Sequence, residues 1–72
     1  MHPSSSREHH QALKIVRCQD PLKWYSRFVG KHVPLIAAEG TEYRSREPAG
    51  YTNFVAYNDA VVVEMLDHIE YY

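Results

Sequence analysis

One cysteine, three glycines and no lysine or arginine after Arg46 are the shortages that set the first limits on this 72-residue chain. Cys18 alone cannot close an intramolecular disulfide or complete a cysteine zinc cluster, so the fold is expected to hold without covalent staples, which suits a reducing, cytoplasmic setting. No apolar run approaches the roughly 18 residues of a membrane span, and the first residues lack the apolar stretch of a secretion signal. Neither insertion nor export is expected. A chain this short forms one domain at most, and such a domain is marginal unless nearly every large apolar residue shares one core. That leaves little room for an active site with supporting shells of its own.

The net charge of −1 hides a polarity along the chain. Between residues 12 and 46 the bases Lys14, Arg17, Lys23, Arg27, Lys31, Arg44 and Arg46 outnumber the acids Asp20, Glu39 and Glu42. From residue 47 onward come Glu47, Asp59, Glu64, Asp67 and Glu70, with no lysine or arginine to offset them. Such a split is what pairing of neighbouring strands of opposite sign produces, and it also supplies a basic face for an anionic partner.

The central stretch is Gly50–Glu64. Phe54, Val55 and Tyr57, then Val61, Val62 and Val63, are aromatic or β-branched residues that fit a half-buried pleated surface, and Asn58-Asp59 between them turns the chain. The valine triplet calls for a cover from the rest of the chain. Residues 1–11, rich in serine and histidine and without apolar period, read as a disordered arm. His2, His9 and His10 on such an arm lack a third metal ligand at a fixed distance. Leu13 and Ile15 alternate with Lys14 and Val16, which predicts a first strand over 12–19. Asp20-Pro21 ends it and opens a short helical turn that brings Trp24 and Phe28 to one face and stops at Gly30. Alternation returns at 31–38, with Pro34 marking a bend or an edge, and again at 42–46, where Tyr43 and Ser45 face one way and Glu42, Arg44 and Arg46 the other. Met65, Leu66, Ile69 and Tyr72 stand at helical spacing, which predicts a short helix over 65–72.

These elements predict a mainly β domain over 12–64, a small five-stranded bent sheet or barrel with one helical turn after its first strand. Asp20-Pro21, Trp24-Tyr25, Val29-Gly30, Gly50-Tyr51, Asn53, Val55 and Asp59 follow one another in an order that resembles small SH3-like barrel proteins of bacteria and their phages, most of them uncharacterised. The resemblance spans about residues 13–64 and implies a fold but no catalytic residue. Pro34 and the acidic segment after Glu64 have no counterpart in it.

No arrangement of nucleophile, base and acid stands out, so a noncatalytic protein with no cofactor is expected. Cys18 and His32 read as a buried structural cysteine and a surface histidine, and Ser4-Ser5-Ser6 lies in the arm. Trp24 and Phe28 read as a plug for one end of the barrel. Tyr25, Tyr51 and Tyr57 are surplus rings, suited to a groove for a protein or peptide, with the Arg44/Arg46 strand beside them. The alternative is nucleic acid, bound through Arg17, Lys31, Arg44 and Arg46. The C-terminal acids and an isoelectric point near 6.5 oppose it. Self-association is the third reading, through an open edge at 42–46 or the apolar Met65, Leu66 and Ile69.

Overall fold

A computed structural model describes residues 9–66 and 68–72, and the first eight residues of the expected arm lie outside it. The chain runs β1 (His9–Ile15), a 3₁₀ turn (Ser26–Phe28), β2 (His32–Pro34), β3 (Ala37–Glu39), β4 (Glu42–Arg46), β5 (Thr52–Ala56), a second 3₁₀ turn (Tyr57–Asp59) and β6 (Ala60–Leu66). These six strands form two antiparallel three-stranded sheets, ordered β2-β1-β6 and β3-β4-β5. Among the described residues no helix is long and apolar enough to cross a membrane.

Pro34 does what its missing N–H dictates. Pairing of β2 with β1 stops there, Leu35 and Ile36 carry the chain out of the first sheet, and Ile36 N–H donates to Arg44 O at 2.9 Å as β3 begins in the second. Ser45 of β4 ties the two sheets across this bend, its hydroxyl donating to Pro34 O at 2.6 Å. That bond lets a serine be fully buried. Pairing with β3 and β5 places β4 in the middle of its sheet, so the strand expected to offer an open edge for self-association is covered on both sides.

The register sets Leu13 beside Val33 and Val62, and Ile15 beside Ala60, all on one face. Leu13, Ile15, Val33, Val55, Ala60 and Tyr25 form the core, with Cys18, Trp24, Phe28, Leu35, Tyr43 and Tyr72 packed around it. Full burial of a side chain such as Leu13 contributes about 1.5–3 kcal/mol, so so few large residues leave little margin. The valine triplet is covered less than its apolarity suggests. Only Val63 is half-buried, because β6 closes one side of its sheet and Val61 and Val62 stay exposed there.

The first strand is shorter at its end than alternation predicts, and its backbone bonds show why. Gly30 N–H donates to Ile15 O at 2.7 Å, and the N–H groups of Val16 and Arg17 turn to Asp59 O at 2.8 and 3.3 Å. The helical turn expected after it is a chain of tight turns with a single 3₁₀ turn. Leu22 N–H donates to Asp20 Oδ1 at 2.9 Å, Ser26 N–H to Lys23 O at 3.0 Å and Phe28 N–H to Tyr25 O at 2.9 Å. The loop closes in a type II turn, with Val29 at φ −60° and ψ 129° and Gly30 at φ 87°. The helix expected over 65–72 does not form. Met65 and Leu66 pair with His10 and His9 as the end of β6, and 68–72 is non-helical. A ladder satisfies these backbone groups, whereas a helix that short does not hold itself.

β3 and β4 are joined by Gly40-Thr41, with Glu39 opposite Glu42 and Gly40 at φ 51° while Thr41 stays at negative φ. This is the first central position of a type II′ turn, which matches the twist of the strands it joins. A Cβ at Gly40 would meet no atom within 4 Å, so Gly40→Ala changes backbone strain alone. Its expected cost is about 1–2 kcal/mol, read as a lower urea midpoint with an unchanged slope.

Candidate interaction surface

Tyr25 sits inside the protein, 1% exposed. Its hydroxyl donates to Asp59 Oδ2 at 2.5 Å and accepts from Ala56 N–H at 3.3 Å. Asp59 is buried as well, and its other oxygen lies 3.7 Å from Arg17 Nε. Burial foremost, and the bond to the Asp59 carboxylate, push the Tyr25 phenol well above its ordinary pKa, with the Ala56 N–H opposing in part. Of the surplus rings, Tyr25 is therefore a structural post rather than a surface. Trp24 and Phe28, expected as the plug, are half-buried with ring centroids 6.3 Å apart.

These rings cover an edge. The outward groups of β5 are met by side chains: Trp24 Nε1–H donates to Phe54 O at 2.8 Å, Phe54 N–H donates to Asn53 Oδ1 at 2.8 Å, and Ala56 N–H is held by Tyr25. Asn53 is in turn fixed by its Nδ2–H bond to Glu47 Oε2 at 2.6 Å.

The remaining expected contact residues are spread out. Tyr51, 71% exposed, follows the Glu47–Gly50 turn at one end of β5, and Tyr57 follows the other end, its ring 4.6 Å from that of Tyr43 in a T-shaped pair. They do not share one site. Arg17 is paired with Asp59 and Arg44 with Glu39 across β3 and β4. Lys31 is exposed beside β2, and Arg46 is exposed on β4.

The register does bring Arg44 and Arg46 onto one face with Phe54 and Thr52, the outer face of β3-β4-β5. Phe54 is 40% exposed at its middle. At its rim a groove of about 340 Å³ is lined by Leu22, Lys23, Trp24, Tyr25, Glu42, Asn53 and Phe54. Leu22 is 91% exposed there. Sequence reasoning passed over Leu22 and Phe54, although the alternation Asn53, Val55 against Phe54 already sets Phe54 on the side away from the core. The Cys18 thiol donates to Asp20 O at 3.2 Å within its own loop. Among the described residues no group of three His, Cys, Asp or Glu is placed to hold a metal ion.

Compared with models of known families, curated proteins and solved structures, the chain finds no match.

Tyr25→Phe leaves Asp59 buried with Arg17 as its remaining side-chain partner and Ala56 N–H without its acceptor. The expected loss is about 1–3 kcal/mol in urea unfolding at pH 7. A phenol whose folded pKa lies above its unfolded value of 10.0 stabilises fully below that pH. The contribution is lost as the pH climbs through the folded value. Stability is therefore expected to fall above pH 10, and to fall less in Tyr25→Phe, measured as the urea midpoint against pH.

Proposed function

We propose that this chain is a noncatalytic protein-interaction module built on a small five-stranded SH3-like barrel. Supporting the barrel, β2 and β3 follow each other across the Pro34 bend with only Leu35 and Ile36 between them, so the pair can be read as one bent strand passing from one sheet to the other. A long loop after the first strand and a 3₁₀ turn before the last fit the same pattern, as do Asp20, Gly30 and Asp59 at the positions that carry the resemblance. A single thiol suits a cytoplasmic setting.

The observation that carries the interaction reading is the exposure of Leu22 beside Phe54. Leu22, 91% exposed, stands on a loop held by backbone and side-chain bonds and lines one groove with the 40% exposed Phe54, so the two offer a partner a contiguous apolar contact. The site takes an apolar side chain of an extended peptide against Leu22, Trp24 and Phe54. Lys23 and Arg46 are placed to meet a carboxylate on either side, and Tyr51 lies beyond the end of the strand. For nucleic acid the balance is poorer, since Arg17 and Arg44 already face Asp59 and Glu39.

Panning a random peptide library against the full chain tests this reading. Enriched peptides are expected to bind Leu22→Ser or Phe54→Ser about tenfold or more weakly, because the anchor loses its apolar wall, with the urea midpoint little changed in Leu22→Ser and lowered in the partly covered Phe54→Ser. Binding that survives both substitutions refutes the site. Capture of oligonucleotides in place of peptides, with affinity falling steeply with salt, puts nucleic acid first.

A further inference from the structure

Ala12 and Leu13 are consecutive in β1 and both are fully buried. Side chains alternate along a strand, so Ala12 points away from the core that Leu13 fills and is covered from outside. Its neighbours on that outer face are Pro34 and Val63, with Met65 and His10 above and Lys14 and His32 below. The cover is the segment 68–72. Ile69 is 7% exposed yet stands apart from the core cluster, and it shares a groove with His10 and Tyr71. A second groove of about 460 Å³ lies where Glu70, Tyr71 and Tyr72 meet Lys31, His32 and Met65.

Tyr72 fastens this segment as an added strand is fastened. Its N–H donates to His32 O at 2.8 Å on the edge strand β2, its ring meets Phe28 edge-on at 5.6 Å, and its hydroxyl donates to Arg46 O at 2.5 Å. A backbone bond to a sheet edge combined with side-chain pockets is the way extended peptides are recognised by edge addition. The charges agree. β1 and β2 offer His10, Lys14 and His32 on this face, Lys31 stands at its rim, and the segment brings Glu70.

We propose that the outer face of β2-β1-β6 is a binding site for an extended acidic-aromatic peptide of another protein, and that the chain's own Ile69-Glu70-Tyr71-Tyr72 occupies it in cis as a displaceable strap. The site is separate from the Phe54 face, so either reading can fail while the other stands. The incoming peptide supplies an aliphatic residue for the Ile69 position, a carboxylate for Lys31 and His32, and a ring against Phe28.

The test is an NMR titration of the labelled full chain, and of its Tyr72→Ala and Ile69→Ser variants, with the synthetic peptide His-Ile-Glu-Tyr-Tyr. At least one variant is expected to remain a folded monomer and to bind the peptide at least tenfold more tightly than the unaltered chain, with shifts at Ala12, Lys31 and His32. A peptide with glutamine for glutamate is expected to bind more weakly. Three results overturn the proposal. A folded variant that binds no better than the unaltered chain shows that the face takes no peptide. Loss of the dispersed spectrum in both variants makes 68–72 an integral part of the fold. A dimer that forms by exchange of the segment makes a second copy the occupant.

Discussion

The hydrogen bond from the Tyr25 hydroxyl to the buried carboxylate of Asp59 is the contact on which the arrangement of this small protein depends. Three stretches of chain meet at it: the loop of residues 16–31, the end of β5 at Ala56 and the turn before β6. Asp59 adds a second hold, since its carbonyl takes the N–H groups of Val16 and Arg17 just where β1 ends. A buried carboxylate is costly unless paired, and here a phenol and a guanidinium pair it. With the loop fixed in this way, Trp24 reaches Phe54 O and Leu22 is held out in water. The candidate interaction surface is thus a consequence of an interior bond.

Sheet edges are handled by side chains rather than by further strands. Trp24, Tyr25 and Asn53 occupy the outward groups of β5, and Tyr72 takes the carbonyl of His32 on β2. β3 is only three residues long. Covering an edge in this way keeps neighbouring molecules from pairing there, and it uses the large rings that composition alone marked as surplus. The charge polarity of the chain has a matching explanation. Basic residues of the first half face acidic residues of the second in the Arg17–Asp59 pair and where 68–72 crosses β1 and β2.

Much of the fold was legible because a few residues have one physical use. Pro34 has no N–H to give, so the bend could be placed to the residue. Gly30 tolerates positive φ, and Asp20 before proline bonds the backbone ahead of it, so the limits of the loop followed. What could not be read was which ring goes in. Trp24 and Tyr25 are adjacent, and the choice between them is made by Asp59, thirty-four residues further on in sequence. The segment from Met65 onward misled for a related reason. Apolar residues at 65, 66, 69 and 72 satisfy a helical period, but β1 offers a ladder to the first two and an outer face to the rest, and spacing carries no trace of that offer. Leu22 escaped because a lone leucine in a turn has no period at all, and Phe54 because alternation was used to find the core and not its reverse. Of the residues expected to bind, Arg44 and Arg46 share the candidate face, Tyr25 lies buried at the floor of its groove, and Tyr57 and Lys31 lie elsewhere.

The pairing of β1 with β6 sets His9 against Leu66 and Ile15 against Ala60, so the central strand of one sheet takes its partner from the far side of the sequence. Local turns can assemble β3, β4 and β5 by themselves, for each follows the last through a short hairpin. β1 has no such neighbour on that flank. Until Ala60–Leu66 arrives, Leu13 and Ile15 have no finished core to enter, and the entropy of closing so long a loop falls due before the contacts that offset it are made. The sheet β2-β1-β6 is therefore complete only when the two distant stretches His9–Ile15 and Ala60–Leu66 meet.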